Sequence, residues 1–239
     1  METVDQGREP FQDFYSRMRP KLVARAYGMC FNRQDAEDVV QESFLAMLPH
    51  WARYSGYETP EAIVDRAMRQ RVWKLQRQRT FFLKRAKDIP SPLPAPDPQF
   101  NAETQERLTV LKSLSKRQRF ILVLHDGCGV PAQEIADDLG ISPSTVRVHL
   151  AKARANFRLL YGQEGWGRDL PGFLSEESGT PVGPPPSDRD AGEEVAAVVR
   201  GTWAELYRYF EADRVNSERM LAALEETAAR QGWSTEGEA

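Results

Sequence analysis

Residues 114–157 read LSKRQRFILVLHDGCGVPAQEIADDLGISPSTVRVHLAKARANF. Gly129-Val130-Pro131 breaks this stretch, and Pro131 suits a first helical position, where a missing N–H costs little. From Ala132 to Leu139, the apolar residues Ile135, Ala136 and Leu139 recur at helical spacing. Gly140 predicts the stop, because glycine takes a left-handed C-cap without strain. Ile141 follows as an apolar plug at the corner, then Ser142 as an N-cap with Pro143 behind it. The next helix is expected to bury Val146, Leu150 and Ala153. It shows Ser144, Thr145, Arg147, Val148, His149, Lys152 and Arg154. A short helix, a glycine turn and a second helix with a polar, basic N-terminal half suit insertion into a major groove.

The same pattern would also suit a helical hairpin inside an enzyme's bundle. Charge argues against it. From Ser142 to Arg158 there is no acidic residue, whereas a helix that only meets water normally mixes signs. Residues 1–161 hold 25 basic and 19 acidic side chains, and residues 162–239 hold 7 and 16. A front part of +6 thus precedes a tail of −9 within a net charge of −3, which points to nucleic acid as the partner of the front part. The 239 residues are enough for two small domains with linkers. Cys30 and Cys128 lack a near partner and ligand spacing, so they read as reduced thiols of a cytoplasmic protein. The three histidines are isolated, so neither a metal nor a cofactor is expected. With no signal peptide and no long apolar run, no membrane insertion is expected.

Toward the N-terminus, Phe11, Phe14, Tyr15 and Met18, then Leu22, Val23, Ala26 and Tyr27, recur at helical spacing. Arg19-Pro20 predicts a bend or a restart among them. Asn32-Arg33 reads as a turn, and Asp35 as the N-cap of a helix over 35–48 that ends before Pro49. Ala36, Val40, Phe44, Met47 and Leu48 form its apolar stripe. Asp38, Gln41 and Glu42 lie away from the stripe, and Asp35 and Glu37 sit near the positive helix end. Spacing alone makes this an ordinary amphipathic helix. Trp51 to Pro60 reads as a loop. Its Tyr54 and Tyr57, interleaved with Arg53 and small polar residues, suit either an unstacked base or packing. A basic helix follows from Pro60 or Glu61 to about Arg79. Residues 66–87 hold nine basic side chains and no acid: Arg66, Arg69, Arg71, Lys74, Arg77, Arg79, Lys84, Arg85 and Lys87. They predict a phosphate-facing surface, with Ala62, Ile63, Ala67, Val72, Trp73 and Leu75 as the buried part.

Asp88 to Asn101, DIPSPLPAPDPQFN, is a proline-rich linker. Leu108, Leu111 and Leu114 open the second domain on one stripe. Residues 162–187 hold many Gly, Pro and Ser and read as a flexible linker. Helical spacing returns over 191–230, with Val195, Val199, Trp203, Leu206 and Phe210 on one stripe and Met220, Leu221, Leu224 and Ala228 on another. The prediction is an all-α chain with domains at 10–87 and 102–161, linkers at 88–101 and 162–187, and an acidic helical extension at 188–232.

Two of these stretches resemble bacterial RNA polymerase sigma factors of the extracytoplasmic-function group. Leu114, Arg117-Gln118-Arg119, Glu134-Ile135-Ala136, Leu139-Gly140-Ile141-Ser142, Thr145-Val146 and Ala153-Arg154 follow the pattern of their region 4. Asp35-Ala36-Glu37-Asp38-Val39-Val40-Gln41-Glu42-Ser43-Phe44 follows their region 2. The resemblance spans residues 11–161. It implies a non-enzymatic protein that binds core RNA polymerase, directs it to promoters and helps open the −10 region. Asp35, Asp38, Gln41 and Glu42 would dock on the coiled coil of the largest polymerase subunit, with the flap as a second contact. Arg53, Tyr54, Tyr57, Arg66, Arg69, Gln70 and Lys74 would hold the −10 element. Ser144, Thr145, Arg147 and Val148 would read the −35 duplex, while Arg117, Lys152 and Arg154 hold its phosphates. An anti-sigma factor is a further partner of the class. Where the family has an aromatic-leucine-tyrosine-arginine run and then Ala-Arg-Asn, this chain has Ile63-Val64-Asp65-Arg66 and Met68-Arg69-Gln70, so its −10 readout departs from the pattern. The alternatives are a stand-alone helix-turn-helix regulator and an adaptor whose acidic tail is the interface. The 35–44 helix counts against the first and the basic run against the second. The tail itself is expected to fold back through the Val195–Phe210 stripe.

Overall fold

The computed structural model describes residues 9–85, 100–164 and 188–233. Residues 88–99 and 165–187 of the predicted linkers, and the side chains of Lys84, Arg85 and Lys87, lie outside the described set. Every regular element among the described residues is helical. In chain order they are α1 (Phe11–Cys30), α2 (Arg33–Met47), a 3₁₀ turn (Leu48–His50), α3 (Trp51–Tyr54), α4 (Pro60–Arg85), α5 (Ala102–Ser113), α6 (Lys116–Leu122), a π-helical turn (Val123–Gly127), α7 (Ala132–Leu139), α8 (Pro143–Glu164), α9 (Asp188–Ala212) and α10 (Arg214–Gln231). The chain divides into two compact units, Met1–Pro92 with Leu206–Ala239, and Leu93–Glu205. The extension is therefore shared between the units rather than standing apart. α9 belongs to the second unit up to Glu205 and to the first from Leu206 on.

In the first unit, α1 runs unbroken through Pro20. A proline inside a helix costs about 3 kcal/mol. Phe11, Phe14, Tyr15 and Met18 before it, and Leu22, Val23 and Ala26 after it, are all buried. Each large apolar side chain contributes roughly 1.5–3 kcal/mol, so burial outweighs the break that Pro20 predicted. Phe31 closes α1 in the left-handed conformation (φ 53°), with its N–H on the Tyr27 carbonyl at 2.6 Å. The cap of α2 is Asn32, whose Oδ1 accepts from the Asp35 N–H at 3.0 Å, not Asp35 as expected. The helix therefore starts at Arg33, and Ala36, Val40, Phe44 and Met47 face the core. Phe11, Phe14, Tyr15, Phe44 and Trp51 form one aromatic cluster, with Phe14 and Trp51 at 4.7 Å between centroids. Trp51 thus starts a short helix rather than a loop.

On α4 the buried side is Val64, Met68 and Val72, together with Asp65, Arg69 and Gln76. Ala62 is exposed, and Ile63, Ala67, Trp73 and Leu75 are only partly covered. The predicted face was wrong because polar residues occupy part of the true one: Asp65, Arg69 and Gln76 are buried where the apolar pattern looked for carbon. The end of α9 and α10 complete this unit. Leu206, Phe210, Leu224 and Ala228 are buried, and Phe210 stands 5.7 Å from the Tyr27 ring.

In the second unit, Asn101 caps α5 through the Thr104 N–H at 2.8 Å. Ser115 and Gln118 form a reciprocal capping box at α6. Pro131 caps α7 instead of opening it. Gly140 ends α7 at φ 65°, a conformation cheap only for glycine. Ser142 Oγ accepts the Thr145 N–H at 3.2 Å and starts α8. Leu108, Leu111, Leu114, Phe120, Ile135, Val146, Leu150, Ala153 and Phe157 make the core. Val195, Val199 and Trp203 of α9 are buried within this unit. Gly127 admits them: a Cβ there would meet Val199 at 3.2 Å and Trp203 at 3.3 Å.

Candidate nucleic-acid and protein interfaces

In the first unit, α2 and α4 frame a groove lined by Asp35, Asp38, Val39, Glu42, Arg71, Lys74, Leu75 and Gln78. The α2 stripe turns its apolar side inward, so Asp38 and Glu42 emerge exposed and Gln41 half-exposed. These acids do not stand alone. Asp35 accepts from Arg79 Nη2 at 2.6 Å, Glu42 lies 3.8 Å from Arg71 Nε, and Asp38 accepts from Gln34 at 2.7 Å. Lys74 shares the acid-lined groove rather than a separate phosphate-facing surface. The groove therefore presents paired charges of both signs, which suits a charged protein surface better than a polyanion.

Of the basic run, Arg66 and Arg77 lie on the exposed side of α4, and the neutral Gln70 is exposed as well. Arg69 does not. It is 3 % exposed and paired with Asp65, which also accepts from Arg25. Asp65 is buried, and a buried carboxylate must be matched by cations. Arg69 is therefore committed to the fold and leaves the predicted −10 set. Arg71 and Arg79 are likewise turned to acids of α2. The nine-residue run is thus less of a free cationic surface than its composition suggests.

Beside α3, four side chains form an ordered aromatic platform. Arg53 Nε donates to the Tyr57 hydroxyl at 2.7 Å, and its guanidinium lies over the Tyr57 ring. Tyr57 meets Tyr54 edge-on at 5.7 Å, and Tyr54 meets His50 at 5.9 Å. Tyr57 remains exposed. Preformed exposed rings at low entropy cost are what base stacking needs.

In the second unit, α8 shows Ser144, Arg147, Val148 and Lys152 to solvent, with Thr145 and His149 half-exposed and Arg117 of α6 exposed. Partial burial, and then the charges of Arg117 and Lys152, hold His149 below its ordinary value of 6.5. His149 thus joins the basic cluster at neutral pH as a neutral ring. Sequence reasoning left it out of the site. Its signal was its position among Arg117 and Lys152, visible only once α6 and α8 are packed. Arg154 departs from expectation. It donates from Nε and Nη2 to Asp126 at 2.8 and 2.6 Å, and Asp126 also meets His125 Nδ1 at 2.8 Å. Burial pushes the Asp126 carboxyl up, but the His125 and Arg154 hydrogen bonds and the Arg154 charge hold it below its ordinary value. Arg154 ties α8 to the π-helical turn, and a Cβ at Gly192 would stand 2.9 Å from its Nη1. Its Nε and Nη2 are thus committed to an ion pair within the unit rather than held open as the sequence suggested.

Comparison with known proteins agrees with this two-unit layout. The Sigma-70 region 2 family matches residues 14–80, and Sigma-70, region 4 matches residues 105–157. The chain belongs to the sigma-70 family. Its relatives include the extracytoplasmic-function sigma factor SigJ of Mycobacterium tuberculosis, 29 % identical over 59 % of this chain and 47 % of that protein. They also include SigG of the same species, 25 % identical over 66 % of this chain and 50 % of that protein. The sigma factor NccH of Alcaligenes xylosoxydans xylosoxydans is 29 % identical over 58 % of this chain and 78 % of that protein. The chain thus matches about half the length of SigJ and SigG. Among solved structures, the sigma factor RpoE in complex with the anti-sigma factor NepR from Bartonella quintana covers 64 % of this chain and 99 % of its own, at 22 % identity and a TM-score of 0.49. No described helix is long and apolar enough to cross a membrane.

Proposed function

We propose that this chain is a sigma factor of the extracytoplasmic-function type, which binds core RNA polymerase, carries it to specific promoters and helps initiate transcription. One observation carries the proposal. A single chain holds, in family order, a unit with the charged α2–α4 groove and a unit with the acid-free α8 face. The groove would take the coiled coil of the largest polymerase subunit through Asp35, Asp38, Gln41 and Glu42, with the polymerase flap as a second contact. The Arg53–Tyr57 platform would hold an unpaired base of the −10 element, and Arg66 and Gln70 the adjoining strand. Arg147 and Val148 would face −35 base edges, with Ser144 and Thr145 beside them at the start of α8 and Arg117 and Lys152 on phosphates.

The chain works by binding, and the nucleotidyl-transfer chemistry belongs to the polymerase. Its site of action is the cytoplasmic nucleoid, and an anti-sigma protein is a partner of the same class reading. A helix-turn-helix regulator that never touches polymerase would need only the second unit and would leave the α2–α4 groove without use. The test is retention of core polymerase by the full chain, followed by promoter-directed transcription. Failure to retain core polymerase would favour the stand-alone regulator.

A further inference from the structure

α8 buries Val146, Leu150, Ala153 and Phe157 and turns Val148 the other way, 54 % exposed. Valine is a poor helix former because its branched side chain loses rotamer freedom against the preceding turn. On this face more than half of its surface stays in solvent, so burial returns little for that cost. Its setting gives another. Val148 lies one turn beyond Ser144 and one turn before Lys152, beside Arg147, and the exposed neighbours Ala151 and Ala155 on the same face are small. No acid occurs from Ser142 to Arg158, so the face suits an anionic polymer.

The two hydroxyls expected to share base recognition are engaged elsewhere. Ser142 Oγ holds both Ser144 Oγ and Thr145 Oγ1 at 2.8 Å, at the positive end of α8. That location favours a phosphate over a base edge. Arg147 and Val148 are then the readers placed farther along the helix. In the major groove the apolar feature of the base edges is the C5-methyl group of thymine.

We propose that Val148 reads the C5-methyl of one thymine in the upstream promoter duplex, and that this contact, with Arg147, carries the base selectivity of α8. The proposal rests on the promoter-binding assignment above and names the base feature that its second unit selects. It also separates the roles along the helix: hydroxyls at the cap anchor the backbone, and the first exposed turn beyond it discriminates.

The test uses the full chain assembled with core polymerase. Duplexes that the assembly retains are enriched from a randomised pool. Each thymine of the enriched upstream element is then replaced in turn by deoxyuridine, which keeps every hydrogen-bonding group and lacks the methyl. One replacement should weaken binding by about fourfold, the scale of one buried methyl group. The same replacement should leave binding by Val148→Ala and Val148→Ser unchanged. Both variants should melt near the parent, since more than half of the Val148 surface is already in solvent. If no thymine is methyl-sensitive, or if the sensitive thymine stays sensitive in Val148→Ala, the methyl is not read by Val148 and the inference is overturned. Lower melting of Val148→Ala would assign the side chain to the fold and overturn it as well. If no duplex is enriched at all, the promoter-binding assignment fails first and takes this one with it.

Discussion

Arg154 grips both carboxylate oxygens of Asp126, Nε at 2.8 Å and Nη2 at 2.6 Å, while Asp126 is almost wholly buried. Removing Arg154 leaves that carboxylate desolvated beside His125 alone. Arg154→Ala should destabilise the second unit by about 2–3 kcal/mol, less than a fully buried pair loses because Arg154 keeps 30 % of its side-chain surface. The Asp126 carboxyl is lowered in the folded chain, so its contribution is complete above the ordinary value of 3.8 and is lost as pH falls through the folded value. Denaturant melts between pH 7 and pH 3 check both points. Unchanged stability together with a smaller salt slope of DNA binding would return Arg154 to the phosphates.

Charge reversal in the α2–α4 groove should separate docking from folding. Asp38 and Glu42 are exposed, so Asp38→Arg and Glu42→Arg should leave the melting temperature near the parent's. Core polymerase affinity should fall by roughly tenfold or more, because like charges would meet across the interface. Asp35 is tied to Arg79, so Asp35→Ala also loosens α2 from α4 and is the less clean probe. Competition binding to core polymerase measures the loss, and an unchanged affinity would detach the groove from polymerase.

The platform beside α3 should matter for strand opening more than for duplex binding. Tyr57→Ala removes an exposed ring that Arg53 holds in place. The loss should be about 1–3 kcal/mol in open-complex formation, the scale of one stacked base. Tyr57→Phe keeps the ring and loses only the Arg53 hydrogen bond, so it should retain most of the activity. Fluorescence of an unpaired base analogue in the −10 element reports the difference.

His149 makes duplex binding depend on pH. Its folded value lies below 6.5 through partial burial and the charges of Arg117 and Lys152. In the unfolded chain the ring keeps the ordinary value, so its protonation lowers stability as pH falls below 6.5 and adds nothing above it. DNA phosphates reverse the local field and favour the charged ring. Affinity should therefore rise as pH falls from 7.5 to 6, with uptake of a proton on binding. His149→Gln should flatten that slope, as titration in buffers of different ionisation enthalpy would show.

The extension is held to the first unit by polar as well as apolar contacts. Arg19, fully buried, donates to Ser217 Oγ at 2.6 Å, Asn216 donates to Glu37 at 2.6 Å, and Arg33 meets Tyr209 at 2.9 Å and also Asp213. Phe210 buries its ring against Tyr27. Phe210→Ala should cost the first unit about 3–5 kcal/mol, whereas Asn216→Ala should cost less because Glu37 keeps Arg33. Truncation after Tyr161 should leave region 2 and region 4 folded but less stable, with altered transcription. Identical transcription by the truncated and full-length chains would make the extension a passive addition.

Local chemistry, read from the sequence, determined where α7 ends and α8 begins in the second unit. Apolar residues at helical spacing, Gly140 and the Ser142-Pro143 pair act within a few residues, and the structure follows them there. The α2 stripe and the buried α9 residues Val195, Val199 and Trp203 were legible for the same reason. Tertiary structure decided what local pattern could not. Pro20 stays inside α1 because seven buried neighbours outweigh one lost hydrogen bond. Arg154 looks like any other cation of its run until packing brings Asp126, twenty-eight residues away, beside it, and the Asp65–Arg69 pair, adjacent on one helix face, is withdrawn from DNA only because packing buries it. A side chain's charge is written in the sequence, but whether it meets solvent, a partner or its own fold depends on which carboxylate packing places within reach, and on how much water that packing removes.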